Sequence, residues 1–184
     1  MKRFPLLPLA ILALHGVSAR AQVYSDGTVG LGQVNGMCRG LAPCETRVTD
    51  ARVSLGYQFN ERVAVELSWL DLGRVKGGND STGVTTKFHG VALGPAYRHA
   101  LAPRLDLNLR AGLAWNRVTD TTWQAGAPST TLRQRSVQPY AGIGATYLLG
   151  RDLSLGLGLD LTRARILDRT ALLRSINLVL RQDF

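Results

Sequence analysis

The chain has 184 residues, 45% of them hydrophobic and 7% aromatic, with 22 Lys+Arg against 13 Asp+Glu and a formal net charge of +9. That apolar content is too high for a disordered basic tail and suits a single folded domain. No run of about 18 consecutive apolar residues occurs, which excludes a helical membrane span, so the apolar residues must follow another pattern.

The amino terminus reads first. Lys2 and Arg3 precede a short apolar run over 6–14, and Ala19-Arg20-Ala21 supplies small residues at a cleavage spacing. This is the layout of a secretory signal peptide over 1–21, leaving Gln22 as the first mature residue, with an apolar run too short to cross a bilayer. Without Lys2, Arg3 and Arg20 the chain keeps 19 basic and 13 acidic residues, a net charge of +6. Cys38 and Cys44, the only two cysteines, lie in a Gly-rich polar stretch. In an exported protein they read as a local disulfide. Two Cys without a nearby His make a poor zinc site, and a redox pair has tighter spacing.

Alternation then runs to the end of the chain. A weak first strand spans 28–34, with Val29 and Leu31 apolar. The second carries Ala51, Val53, Leu55, Tyr57 and Phe59 on one face and Arg52, Ser54, Gly56 and Gln58 on the other. Period-two patterning of this kind marks a half-buried strand. It recurs at Val63 to Trp69, at Val91, Leu93 and Tyr97, at Leu105 to Trp115, at Val137 to Tyr147, at Leu153 to Leu161, and at Ile176 to Phe184. Eight strands of about 9 to 13 residues result, near the length a tilted strand needs to cross hydrocarbon.

Connections alternate as well. Short ones fall at 60–62, 100–104 and 149–152; long, polar ones rich in Gly, Ser and Thr are expected at 35–50, 73–86, 117–135 and 163–172. Short turns on one side, long loops on the other and an even strand count describe an all-β, eight-stranded antiparallel up-and-down transmembrane barrel over 22–184, with both termini periplasmic. One face of the strands is Leu, Val, Ile and aromatic; the other carries charges and glycines. Mid-strand charges are costly in lipid, so the apolar face must look outward. Glu66, Arg110, Asp160 and Arg181 then point into the lumen, where they are expected to pair. A structural plug is the expected outcome, because eight strands leave an interior that side chains nearly fill. Tyr57, Phe59, Tyr97 and Tyr147 fall beside the short turns, with Phe184 at the carboxyl end; Trp69, Phe88 and Trp115 fall beside the long loops. Two interfacial aromatic girdles are expected.

The stretch Gly56-Tyr-Gln-Phe-Asn60, followed by Val63-Ala-Val-Glu-Leu-Ser-Trp69-Leu-Asp-Leu-Gly73, resembles the second hairpin of OmpA-like eight-stranded outer-membrane barrels. Phe184, with Leu178 and Leu180 at alternate positions before it, is similar to the carboxyl-terminal signal that the barrel-assembly machinery reads in this class. The resemblance covers essentially the whole mature chain and implies insertion in the outer membrane. It implies roles that range over membrane anchor, surface adhesin, serum-resistance factor and narrow pore. No cell-wall tether is expected, since the chain stops at its eighth strand, and the resemblance is silent on the cysteine pair.

Other classes fare worse. After the signal peptide only His89 and His99 remain, at opposite ends of one strand and about 30 Å apart, so they cannot share a metal. His89 near Asp80 and Ser81 is the one candidate catalytic cluster, which keeps a lipid A-modifying enzyme as the third reading, after a narrow pore for ions or small solutes. No catalytic residue, metal or cofactor is expected. Gly-x-Gly pieces at Gly30, Gly142 and Gly156 lack the following helix of a phosphate cradle. A pI of 10.4 suggests nucleic acid, but export removes that partner. Twelve basic and six acidic residues fall on the long loops and adjoining strand ends. The expected role is therefore a structural and surface-interaction protein with a basic outer rim, contacting outer-membrane lipids, the phosphates of lipopolysaccharide, or a host or surface ligand.

Overall fold

A computed structural model describes residues 22–35, 43–166 and 169–184. The expected signal peptide and Cys38 lie outside the described residues. Nine strands follow one another: β1 (Gln22–Val34), β2 (Cys44–Glu45), β3 (Arg47–Gln58), β4 (Val63–Gly78), β5 (Thr82–Ala102), β6 (Leu105–Gln124), β7 (Ala127–Leu148), β8 (Leu153–Ile166) and β9 (Arg169–Asp183). All pairings are antiparallel, and the ring β4-β3-β1-β9-β8-β7-β6-β5 closes through β4 and β5. β2 is a two-residue addition beside the end of β4. Closure removes sheet edges through the body of the barrel.

Strict alternation produces the ring. Every second residue of β3 is buried and every other one exposed; Val53, Leu55 and Tyr57 face out, while Arg52, Ser54 and Gln58 are within. The turn between β3 and β4 uses a side-chain cap. Asn60 Oδ1 accepts from the Arg62 and Val63 amides at 2.9 and 2.8 Å, as expected of an Asn that closes its own turn. The last residue is bonded too, with the Phe184 amide donating to the Val23 carbonyl.

Three expectations are corrected. The first strand begins at Gln22 rather than at residue 28, because the outward positions Ser25 and Gly27 dilute the apolar period over its first half. The stretches 73–86, 117–135 and 163–172 are mainly strand rather than loop. β4 and β5 meet at a turn of three residues, 79–81, and β6 and β7 at Ala125 and Gly126, the latter with φ +79°. Their many Thr and Val residues are β-branched and favour strand despite their polarity. At roughly 3.3 Å per residue the longest strands far exceed a hydrocarbon core of about 30 Å, so these hairpins project beyond it.

The third correction concerns Phe88. It is 1% exposed and lies inside the barrel, so it is absent from the outward aromatic set. On β5 the odd positions His89, Val91 and Tyr97 face out, and plain period two sends residue 88 inward. There it joins Leu70, Leu72, Val75, Val118 and Leu173 in an apolar layer at the long-hairpin end of the lumen. Val75 reaches this layer through a bulge between Asp71 and Arg74 that reverses the alternation of β4. Gly73 takes φ +83° there, a conformation suited to glycine.

Pro139 sets a further boundary. The β7–β8 ladder ends at Tyr140 and Thr162; the next residue of β7 has no N–H to donate. The Thr162 hydroxyl donates to the Pro139 carbonyl at 3.1 Å. Beyond this point β4, β5, β6 and β7 continue together as a projecting sheet.

Candidate functional site

Two constellations carry charge, one inside the barrel and one outside. The inner one begins at the short-turn mouth, where Arg98 donates to both carboxylate oxygens of Asp183 at 3.1 and 3.0 Å and lies 3.6 Å from Asp106. Arg181 also binds Asp183, at 2.9 Å, and its guanidinium stacks 3.5 Å above the Tyr24 ring. The Tyr24 hydroxyl donates to Glu66 at 3.0 Å, and Ser68 donates to the same carboxylate at 3.2 Å.

At mid-height Arg110 stands 3.9 Å from both Glu66 and Asp26. Arg52 reaches Asp26 at 3.2 Å, Asp160 at 2.7 Å and the Tyr140 hydroxyl at 2.7 Å. The Tyr140 hydroxyl donates to Asp160 at 2.8 Å, and Asn177 donates to Asp160 at 2.6 Å. Asp26, Glu66 and Asp160 thus face Arg52 and Arg110, while Arg181 and Arg98 share Asp183, so each of these lumen arginines has a carboxylate partner. Buried charges without partners are strongly disfavoured. Above them lies the apolar layer, and the space between Arg52, Asp160 and that layer is about 20 Å³, room for a single water.

The structure therefore places Glu66, Arg110, Asp160 and Arg181 in one connected lumen network. Alternation alone puts Arg52 on the inward face but does not mark it as the residue that organises this network. Arg52 touches two carboxylates on two other strands, and Asp26 sits on the half of β1 whose patterning was too weak to read. A Tyr at position 24, on the same face as Asp26, was the available signal. Inward glycines make room: a side chain at Gly56 would strike the Tyr24 ring, and one at Gly142 would strike Asp160 and Arg110.

Outside, Tyr57, Phe59, Trp69, Tyr97, Trp115 and Tyr147 are all exposed on the barrel wall. Trp69, Val91, Trp115 and Val137 are successive cross-strand neighbours, forming one row over β4 to β7. The next outward row toward the hairpin end is Asp71, His89, Arg117 and Arg135, and the row beyond it Arg74, Lys87, Thr119 and Arg133. On the opposite wall Gln33 is flanked by Arg47 and Arg174. The basic residues expected on loops are in large part on strands, aimed outward. His89 lies in this lattice, whereas Asp80 and Ser81 are at the tip of the hairpin, so the structure does not assemble them. Cys44 starts β2; its expected partner Cys38 is outside the described residues.

Comparison with known proteins gives a consistent answer. The OmpA-like transmembrane domain matches residues 18–160. Outer membrane protein A of Serratia marcescens is 26% identical over 133 residues, 72% of this chain but only 36% of that protein. Neisserial surface protein A superposes with a TM-score of 0.65 at 14% identity, covering 88% of this chain and 97% of the other. The Ail protein of Yersinia pestis, solved with the heparin analogue sucrose octasulfate, gives 0.60 at 12% identity, covering 89% and 99%. The amino-terminal barrel of Pseudomonas aeruginosa OprF gives 0.51 at 14% identity, covering 88% and 99%.

Proposed function

This chain belongs to the OmpA-like transmembrane domain family and is an outer-membrane β-barrel, and from that premise we propose that it serves as a non-enzymatic structural and surface-interaction protein. Its basic extracellular face contacts lipopolysaccharide or another anionic partner. The observation that carries this reading is the division of charge: the lumen cations are neutralised within the barrel, whereas Arg74, Lys87, Arg117, Arg133 and Arg135 point outward and make no ion pair among the described residues. Net positive charge on an exposed face attracts polyanions and steers them. Ail, a relative in fold, was crystallised with a sulfated polyanion, which is in keeping with this use of an extracellular rim.

The lumen argues for a plug over a narrow pore. Its polar half is filled by mutual ion pairs, and its other half by the Phe88 and Leu70 layer. Phe184, exposed just after the last strand, serves as the signal for the barrel-assembly machinery, and Cys38 and Cys44 form a disulfide that staples the first loop. The test is direct: cells producing the chain are fractionated, its heat-modifiable gel mobility is measured, and deletion and producing strains are compared for envelope permeability and for adhesion to anionic surfaces. Outer-membrane location with charge-dependent adhesion or altered permeability supports the reading. Acyl-chain release from lipopolysaccharide by the pure protein, lost in His89→Ala, would replace it with an enzyme.

A further inference from the structure

We infer that the outward lattice on β4 to β7 is a binding site for the phosphate groups of an outer-leaflet glycolipid, centred on Arg117 and Arg135. The inference rests on the surface-interaction reading and names its partner.

Arg117 and Arg135 are directly opposite each other on paired strands, both exposed. Like charges in that position repel and cost stability. His89 lies across from Arg117 on the other side, and in the next row Arg74 faces Lys87 while Thr119 separates Lys87 from Arg133. The single carboxylate of the lattice, Asp71, accepts the Gly73 amide at 3.1 Å to hold the bulge, and its one negative charge stands against five cations. Five permanent cations are therefore held on one flat surface by backbone pairing rather than by mobile loops. Strands about 4.8 Å apart and successive outward rows about 7 Å apart set their spacing. A phosphate above the Arg117 and Arg135 pair receives planar, paired donors from both guanidinium groups. Anion binding at this point removes the repulsion that the sequence otherwise tolerates.

Height selects a lipid over a soluble anion. The row immediately below is Trp69, Val91, Trp115 and Val137, and tryptophans of membrane barrels sit at the lipid–water interface. One row above that belt is the level of lipid phosphates. Trp69, His89, Trp115, Arg117, Arg135 and Val137 line a shallow depression of about 460 Å³ at this junction, apolar below for an acyl chain and cationic above for its headgroup.

The full chain in phosphatidylcholine nanodiscs is offered bisphosphorylated lipid A, dephosphorylated lipid A or soluble inositol hexakisphosphate, and bound lipid is counted by native mass spectrometry. The wild type retains bisphosphorylated lipid A preferentially. Arg117→Gln with Arg135→Gln lowers that affinity about tenfold, a loss of about 1.4 kcal/mol. Thr119→Glu, which adds a carboxylate to the lattice without removing any of its cations, does the same. Arg62→Gln with Arg104→Gln, at the short turns, changes nothing. Retention of both lipid A forms alike by a folded wild type overturns the site and leaves the outer-membrane reading standing. Inositol hexakisphosphate binding as tightly as the lipid transfers the lattice to a soluble polyanion and overturns the lipid assignment. Absence of the chain from outer membranes would defeat the parent reading instead.

Discussion

Arg52 and Asp160 meet inside the barrel at 2.7 Å across strands that are not neighbours in the ring. Their pairing ties the β3 wall to the β8 wall, and Tyr140 bonds both partners. Removing one member of such a pair strands the other without compensation. Arg52→Ala is expected to lose roughly 3–5 kcal/mol, read as a shift in the urea midpoint of micelle-folded protein. Arg52→Met with Asp160→Asn, which removes both charges and nearly keeps volume, recovers part of that loss, the remainder reflecting Asp26, which also loses Arg52. Equal destabilisation by the single and the paired replacement would show that the salt bridge is not what the site depends on.

Tyr24 and Gly56 make a steric pair. The Tyr24 ring fills the space a side chain at position 56 would take, and from there it reaches Glu66 and receives Arg181. Gly56→Val therefore fails to reach the compact, fast-migrating form on unheated gels, and Tyr24→Ala added to it restores that form. Overpacking a filled interior costs about 1–3 kcal/mol where it is tolerated at all. Normal folding of Gly56→Val alone would contradict this placement of the ring.

The apolar layer gives a prediction about conduction. Phe88 and Leu70 fill the long-hairpin half of the lumen, so Phe88→Ala and Leu70→Ala are each expected to cost roughly 2–5 kcal/mol, and the pair departs from their sum because neighbours in one layer share the cavity. Planar bilayer recordings should show no steady current for the wild type and openings for the double replacement that still folds. Steady wild-type conductance would return the narrow pore to first place.

Local pattern carried the fold and failed wherever a non-local fact decided the outcome. Alternation along β3 to β9, with short connections alternating with longer polar stretches, was enough for an eight-stranded barrel. Phe88 is the exception: the parity of its own strand, which His89 and Val91 fix, sends it inward against the aromatic preference for interfaces. Val75 needed the bulge at Gly73, where one extra residue exchanges the two faces. The lumen residues Glu66, Arg110, Asp160 and Arg181 were readable as inward, but the central place of Arg52 was not. That place depends on which strands stand opposite across the barrel and at what stagger, and one strand's sequence records neither.

The projecting hairpin offers the last and simplest test. A polar loop over 117–135 would present Arg117, Arg133 and Arg135 to trypsin in extended, mobile form. The structure instead pairs this stretch residue by residue from Arg117 with Arg135 up to Thr122 with Thr130, with Thr121 and Thr131 hydroxyls 3.4 Å apart on the outward face. Strand pairing holds backbone away from a protease, which must first open it locally. Trypsin on intact cells is therefore expected to spare Arg117, and hydrogen exchange should show slow amides on β6 between 117 and 122, since β6 is paired on both sides there. The same residues of β7 are paired on one side only among the described residues, so alternate amides between 130 and 135 exchange fast. Uniformly fast exchange through both strands, with early cleavage after Arg117, would restore the loop and dissolve the cationic lattice that depends on its order.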